Sequence, residues 1–130
     1  MKEYETPVLG TGYLPGAGRF CNSLRVGTPI ILKREPDNKY DSSAVAVYVD
    51  DTHIGYVPNK GYSCSECWGP IDKQFFVCKV CGSDKVVSGG LATRLTNVNA
   101  VEQAQGYISQ NLGEDVQNPV KIKIILPIEY

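Results

Sequence analysis

The sequence predicts a mainly β fold with one or two helices, arranged as a small β-barrel or curled sheet that is interrupted by an inserted four-cysteine metal site. Two observations lead to this fold class. Several short segments have the alternation or the β-branched content of strands, and two Cys-x-x-Cys pairs lie close together within residues 64–81. With 130 residues, of which 42% are hydrophobic, the chain can bury one compact core. We therefore expect a single domain, 1–130, interrupted by an insert at 62–87.

Three consecutive strands are expected in the first half of the chain, each short and rich in apolar residues: 28–33, 44–49 and 53–57. The segment 35–39 contains proline and asparagine, which favour a tight turn between the first two strands, and the aspartates at 50–51 mark the next hairpin. A last strand is expected at 121–126, where charged and apolar residues alternate at the start and Pro119 and Pro127 bracket the segment.

A helix is expected between the insert and the last strand. Asn99 is followed three residues later by Glu102, as in a helix N-terminal capping motif, and Gly113 is a natural stop. Apolar residues between these ends recur at helical spacing: Val101, Ala104, Ile108 and Leu112. A shorter helical turn is expected around 91–95, after the flexible junction 88–90.

Four of the five cysteines form the two Cys-x-x-Cys pairs, each followed closely by glycine: Cys64, Cys67, Cys78 and Cys81. This spacing is typical of a zinc ribbon, in which four thiolates at about 2.3 Å complete a tetrahedral Zn²⁺ and leave no position for a catalytic water. We therefore expect structural zinc, with iron in the same cage or a redox-active pair as the alternatives. Cys21 has no partner spacing and is expected to be a small core residue that does not bind the metal.

The most distinctive pattern lies between Arg34 and Pro58. It reads Arg-Glu-Pro-Asp-Asn-Lys-Tyr-Asp over 34–41 and Ile-Gly-Tyr-Val-Pro over 54–58. This combination resembles the HIRAN family, whose modules occur on DNA-repair translocases and as short bacterial or phage proteins. The best-studied type captures the 3′ end of single-stranded DNA. The resemblance implies a small HIRAN-like β fold, a role in DNA repair or replication, and a non-catalytic module that recognises single-stranded DNA at its 3′-hydroxyl end.

The resemblance also implies which residues contact the DNA. The tyrosines that match Tyr13 and Tyr40 clamp terminal bases, and the carboxylate that matches Asp41 accepts a hydrogen bond from the 3′ hydroxyl. Tyr13 belongs to the segment 9–13, which corresponds to the first binding strand of the family. Tyr56 stands where some relatives carry a histidine near the nucleotide. From their positions beside these residues, we add three candidates for polar and phosphate contacts: Asn38, Lys39 and Lys60.

The sequence departs from the family in two places. The family runs from its Gly-Tyr-Val-Pro strand almost directly into a helix, whereas the insert intervenes here. Gly12 stands where some relatives present a basic residue before the stacking aromatic, so phosphate affinity is expected to be lower. The insert lysines, Lys73, Lys79 and Lys85, either supply a second nucleic-acid contact or only solvate the surface.

Two other interpretations of the same residues stay open. The tyrosines can be core or rim aromatics whose hydroxyls reach solvent. Alternatively, the chain is an adaptor whose zinc ribbon docks a larger DNA-processing enzyme through exposed aromatic residues, for which Trp68, Phe75 and Phe76 are the candidates.

Composition excludes several classes of function. A net charge of −1 argues against a protein that coats nucleic acid non-specifically. No apolar run reaches the roughly 20 residues that cross a bilayer, so we expect a soluble cytoplasmic protein. Catalysis is not expected, because the only histidine, His53, lies beside a hairpin tip. The glycine-rich segment 10–18 lacks the Gly-Lys-Ser/Thr ending of a phosphate loop and is expected to be a mobile loop lining the binding groove.

Overall fold

The computed structural model describes residues 2–67, 71–72, 74–97, 100–113 and 118–126. Within these ranges the chain forms ten strands and two short α-helices, and Thr11–Tyr13 adds a turn of 3-10 helix. The elements in chain order are β1 Lys2–Pro7, α1 Ala17–Asn22, β2 Ile31–Arg34, β3 Val45–Val49, β4 Thr52–Tyr56, β5 Tyr62–Cys64, β6 Ile71–Asp72, β7 Val77–Cys78, β8 Val86–Ser88, α2 Leu91–Asn97, β9 Gln105–Asn111 and β10 Val120–Leu126.

Two antiparallel three-stranded sheets make up most of the fold, with strand orders β1-β10-β9 and β2-β3-β4. Single bridges join their edges at two places, Leu9 to Tyr56 and Pro29 to Tyr107. The sheets are therefore open but linked on both sides, which gives the curled, mainly β architecture that the sequence predicts. Two smaller two-stranded sheets, β5-β8 and β6-β7, lie within the insert.

One hydrophobic core draws residues from both large sheets and from α2. Strand β10 has the period-two pattern of a strand with one face in the core, because every second residue is buried and the residues between are half-buried. The buried residues are Val120, Ile122, Ile124 and Leu126. From the other sheet, Val45, Val47 and Ile54 are fully buried, and Leu95 of α2 packs into the same cluster. Cys21 is also fully buried there, which confirms it as a core residue.

The four strands predicted from the sequence are present as β2, β3, β4 and β10, and the helical turn predicted at 91–95 is α2. Their ends differ from the prediction by three residues or fewer. Pro127, which we expected to bracket the last strand, lies outside the described residues. No helix in the described part of the chain is long and apolar enough to span a membrane.

The helix predicted from Asn99 to Gly113 is wrong. Residues 101–103 form a turn, and β9 follows and pairs with β10. A tertiary contact overrides the helical spacing at Gly106, where an added Cβ would collide with the Lys123 carbonyl oxygen of β10. Only Ile108 of the strand is buried, so the periodicity that suggested a helix does not mark one buried face. Asn99 itself lies outside the described residues.

The segment 9–13, expected as the first binding strand, is also not a strand. Leu9 makes a single bridge, Gly10 turns the chain with φ of 80°, and the 3-10 helix Thr11–Tyr13 follows. The glycine-rich segment 10–18, expected as a loop, contains this 3-10 helix and the start of α1, where Ala17 is buried. Neither β1 nor α1 was predicted from the sequence.

Candidate functional site

A cleft of about 550 Å³ opens where the 3-10 helix, the 35–41 turn and the end of β4 meet. Its lining residues are Tyr13, Leu14, Asn38, Tyr40, Asp41, Ala44, Tyr56 and Val57. Five of the seven residues predicted to contact nucleic acid line this one cleft. The other two, Lys39 and Lys60, are exposed but do not line it.

Gly55 allows the segment that carries Tyr13 to cross closely over β4. An added Cβ at Gly55 would collide with the Val8 side chain and lie 2.5 Å from the Leu9 carbonyl oxygen. Paired backbone hydrogen bonds join Leu9 and Tyr56 at 2.9 and 2.8 Å, and the Thr11 hydroxyl donates to the Ile54 carbonyl at 2.7 Å. The glycine of the Ile-Gly-Tyr-Val-Pro pattern is thus required for the close approach that sets the position of the 3-10 helix.

Tyr13 and Tyr40 project into solvent and are 87% and 95% exposed. Side chains so open are not core aromatics, so of that interpretation only a place at the rim stays open for these two residues. Tyr13 also borders a second, smaller hollow of about 230 Å³, lined by Gly10, Gly12, Tyr13 and Asn118. Two large aromatic surfaces are therefore free to contact a ligand in or beside the cleft.

Tyr56 is half-buried, and its hydroxyl donates to the Glu35 Oε1 at 2.9 Å. Burial, reinforced by that hydrogen bond, raises the pKa of Tyr56 to about 12. The Asn38 Nδ2 donates to the same oxygen at 3.0 Å, while the Asn38 Oδ1 accepts from the backbone N–H groups of Tyr40 at 2.9 Å and Asp41 at 3.1 Å. The amide of Asn38 is thus committed to shaping the turn that carries Tyr40 and Asp41.

Both carboxylate oxygens of Asp41 accept a hydrogen bond. The Oδ1 accepts from the Ser43 N–H at 2.9 Å, and the Oδ2 accepts from the Asn59 Nδ2 at 2.6 Å. Because an ionised carboxylate has about four acceptor positions, Asp41 keeps capacity for a further donor from the cleft. No local sequence pattern marks Asn59 or Glu35, since their partners Asp41 and Tyr56 lie 18 and 21 residues away.

The four predicted cysteine ligands form one cluster, in which all Sγ atoms lie within 4.8 Å of one another. The Sγ atoms of Cys64 and Cys81 are 3.6 Å apart, and those of Cys67 and Cys78 are 3.3 Å apart. A tetrahedral metal with sulfur at about 2.3 Å has sulfur–sulfur edges of about 3.8 Å. The geometry and the donor set therefore fit a closed tetrahedral metal site.

Backbone amides stabilise two of the sulfurs as thiolates. The N–H groups of Glu66 and Cys67 each donate to the Cys64 Sγ at 3.4 Å, and those of Val80 and Cys81 donate to the Cys78 Sγ at 3.3 and 3.4 Å. The Cys81 N–H is the main cause that lowers the pKa of the Cys78 thiol to about 6, and the Cys67 N–H likewise lowers the pKa of Cys64. Thiolates are the form that binds a metal.

The surface of the insert carries several exposed apolar side chains: Tyr62, Phe75, Phe76 and Val80. The rings of Tyr62 and Phe76 meet edge to face, with centroids 4.9 Å apart. Among the insert lysines, Lys85 forms an ion pair with Glu66 at 3.2 Å and Lys79 is exposed. Trp68 and Lys73 lie outside the described residues.

The chain is thus a small, mainly β domain with an open cleft and an additional four-cysteine cluster. The sequence profile of the HIRAN domain matches residues 1–68, more than half of the 130-residue chain. The chain therefore belongs to the HIRAN domain family, and this membership implies a DNA-binding module. The match includes all seven residues predicted to contact nucleic acid.

A crystal structure of a structural-genomics protein from Lactobacillus plantarum resembles the whole chain. The TM-score is 0.50 at 16% sequence identity, and the match covers 99% of this chain and 100% of that one. A likeness at this identity supports the fold alone. A search of the curated proteins gives no significant match.

Proposed function

We propose that this chain is a non-catalytic module that binds single-stranded DNA and captures its 3′-hydroxyl end in the cleft. The observation that carries this proposal is the cleft lining, which brings two almost fully exposed tyrosines together with a carboxylate that has acceptor capacity to spare. Stacking surfaces and one hydrogen-bond acceptor are the chemistry that a DNA end requires.

Tyr13 and Tyr40 stack against the terminal bases, each contributing about 1–3 kcal/mol per stacked base. Asp41 accepts a hydrogen bond from the 3′ hydroxyl, and its charge repels a 3′ phosphate. Lys39 and Lys60 contact backbone phosphates near the cleft. The net charge of −1 agrees with few phosphate contacts and with recognition of an end rather than of a long strand.

The metal that we propose for the cysteine cluster is Zn²⁺, held by Cys64, Cys67, Cys78 and Cys81. Four sulfur ligands and a tetrahedral arrangement favour zinc and leave no open position for a substrate. The zinc would stabilise the fold of the insert, and it would have no role in a chemical step.

The surroundings of His53 support a non-catalytic function. Its ring stacks on Tyr48 with centroids 4.9 Å apart and meets Tyr56 edge to face at 4.8 Å. The His53 Nε2 lies 2.9 Å from the Gly55 carbonyl oxygen. The imidazole thus packs within the sheet and does not line the cleft.

The test is fluorescence anisotropy with short single strands that are identical except for a 3′ hydroxyl, a 3′ phosphate or a blocked 3′ end. We expect tightest binding to the free hydroxyl, a loss of about tenfold or more in Tyr40→Ala, and loss of the end preference in Asp41→Ala. Tyr62→Ala removes an exposed tyrosine outside the cleft and should change neither property. Equal binding to all three strands would contradict end capture.

A second candidate function is that of an adaptor that docks a larger DNA-processing enzyme through the insert. The observation that favours it is the exposure of Phe75, Phe76 and Val80, at 69%, 47% and 70%. Exposed aromatics grouped on one small element are typical of interaction surfaces. The test is a double variant, Phe75→Ala with Phe76→Ala. The adaptor function would be supported if this variant still binds DNA but no longer captures a partner enzyme in pull-down experiments.

A further inference from the structure

Asn59 lies between the end of β4 and the start of β5, and its side chain is held from both ends. The Oδ1 accepts three hydrogen bonds, from the Gly90 N–H at 2.9 Å, the Thr93 N–H at 2.8 Å and the Thr93 hydroxyl at 2.7 Å. Three donors around one atom identify that atom as the oxygen, so the amide nitrogen must face the other way. There it donates to the Asp41 Oδ2 at 2.6 Å.

The partners of the Asn59 oxygen lie where the insert returns to the core. The Gly89 N–H donates to the Gly61 carbonyl at 2.8 Å, and the Ala92 N–H donates to the Pro58 carbonyl at 3.2 Å. The backbones of Gly90 and Lys60 also approach too closely for a side chain at residue 90, because a Cβ at Gly90 would lie 2.9 Å from the Lys60 carbonyl oxygen. The segments that precede and follow the insert, 58–61 and 89–92, are thus hydrogen-bonded to each other beside Asn59.

We propose that Asn59 is a positioning residue for DNA-end recognition, which fixes the Asp41 carboxylate in the cleft by anchoring it to the closed base of the insert. This role rests on the proposed function of Asp41. A carboxylate can rotate about its side-chain bonds, and rotation would move the acceptor away from a terminal hydroxyl. The Ser43 N–H holds the Oδ1, and the amide of Asn59 holds the Oδ2 in a fixed position because its own oxygen is held by three donors.

Two variants separate this role from simple capping of α2. Asn59→Asp keeps an acceptor for Gly90 and Thr93 but replaces the donor to Asp41 by a second carboxylate, which repels it. Thr93→Val removes one donor to the Asn59 oxygen and leaves the donor to Asp41 in place. The control is Gln110→Glu, which introduces the same change of charge on an exposed residue of β9, in the sheet β1-β10-β9.

The measurement is the ratio of dissociation constants for two single strands that differ only in a 3′ hydroxyl or a 3′ hydrogen, so that neither terminal group carries a charge that the new carboxylate could repel. Asn59→Asp is expected to lower this preference about tenfold, as for loss of a hydrogen bond to a charged group, while Thr93→Val and Gln110→Glu keep it within about twofold. A merely structural role predicts the reverse order, with Thr93→Val the more damaging and Asn59→Asp harmless.

A second readout does not depend on DNA. In NMR spectra of the wild-type protein and of Asp41→Asn, the Asn59 side-chain amide resonances should shift, because the substitution removes the charge that they face. A wild-type preference for the hydroxyl that survives in Asn59→Asp would overturn the role of Asn59 and leave the proposed function standing. Absence of the preference in the wild type would overturn both, and unchanged Asn59 amide resonances in Asp41→Asn would overturn the contact itself.

Discussion

The Tyr56 hydroxyl and the Glu35 carboxylate are joined by a 2.9 Å hydrogen bond that ties the end of β4 to the turn after β2. The same Glu35 oxygen accepts from the Asn38 Nδ2, whose own oxygen accepts from the backbone of Tyr40 and Asp41. One carboxylate oxygen thus links two parts of the cleft lining, the end of β4 and the turn that carries Tyr40 and Asp41. The shape of the cleft is built into the protein before any ligand arrives.

Burial of Tyr56, together with its contact to Glu35, gives the stability of the protein a measurable dependence on pH. The pKa of Tyr56 is raised to about 12, chiefly by burial and then by Glu35, so the folded state holds the phenolic proton more tightly than the unfolded chain. The resulting stabilisation is complete below about pH 10, the ordinary pKa of tyrosine, and is lost as the pH rises further. We expect Tyr56→Phe to lower the free energy of unfolding by about 1 kcal/mol at neutral pH.

Urea unfolding at a series of pH values checks this prediction. The difference between the wild type and Tyr56→Phe should be constant up to about pH 10 and shrink above it. Tyr107→Phe, at a half-buried tyrosine of β9, corrects for the general effect of losing a phenol. A difference that stays constant through alkaline pH would show that folding does not raise the pKa of Tyr56.

Period-two patterns predicted β2, β3 and β10, and a short extended sequence predicted β4. The alternation matches burial most clearly in β10, whereas three consecutive residues of β3, 45–47, are buried. These patterns did not predict β1, whose sequence Lys-Glu-Tyr-Glu-Thr-Pro is mostly polar and which is held by pairing with β10. Strand β9 was mistaken for a helix because four apolar residues happen to fall at helical spacing. Pairing with β10 depends on residues distant in sequence, which local periodicity does not include.

The two parts of the candidate site, the cysteine cluster and the cleft, were predicted on different grounds. The cysteine cluster was predicted from spacing alone, since two nearby Cys-x-x-Cys pairs are typical of a zinc ribbon. Four of the five predicted residues that line the cleft came from the family resemblance, and Asn38 came from its position beside them. The five lie in three separate segments of the chain. The hydrogen bonds that orient them, from Asn59 to Asp41 and from Tyr56 to Glu35, connect side chains that only the folded chain brings together.

Gly12 offers a way to strengthen DNA binding. It lies beside Tyr13, and a Cβ added there would meet no atom within 4 Å. We expect Gly12→Arg to tighten binding to single-stranded DNA several-fold and to steepen the dependence of log Kd on log salt by about 0.7, the value for one added phosphate contact. Gly12→Gln is the uncharged control for size. An unchanged salt dependence in Gly12→Arg, measured by anisotropy, would show that no phosphate passes this position.

Gly106 and Gly18 form a matched pair for testing the packing of β9. A Cβ at Gly106 would collide with the backbone oxygen of Lys123 and lie 2.9 Å from Ile30, whereas a Cβ at Gly18 in α1 would meet nothing within 4 Å. We expect Gly106→Ala to lower the free energy of unfolding by about 2 kcal/mol or more, and Gly18→Ala to raise it by up to about 1 kcal/mol. Thermal and urea unfolding measure both. Equal small effects would contradict the close pairing of β9 with β10.

Cys78 and Cys21 distinguish a metal ligand from a buried cysteine. Both are buried, but the Cys78 Sγ lies in the four-sulfur cluster whereas Cys21 lies in the hydrophobic core. We expect purified wild-type protein and Cys21→Ala to carry one zinc per chain by elemental analysis, and Cys78→Ser to lose most of it. Because the base of the insert anchors Asn59, Cys78→Ser should also weaken the preference for a 3′ hydroxyl more than it weakens overall DNA binding. Zinc retained by Cys78→Ser, or lost from Cys21→Ala, would exclude the proposed ligand set.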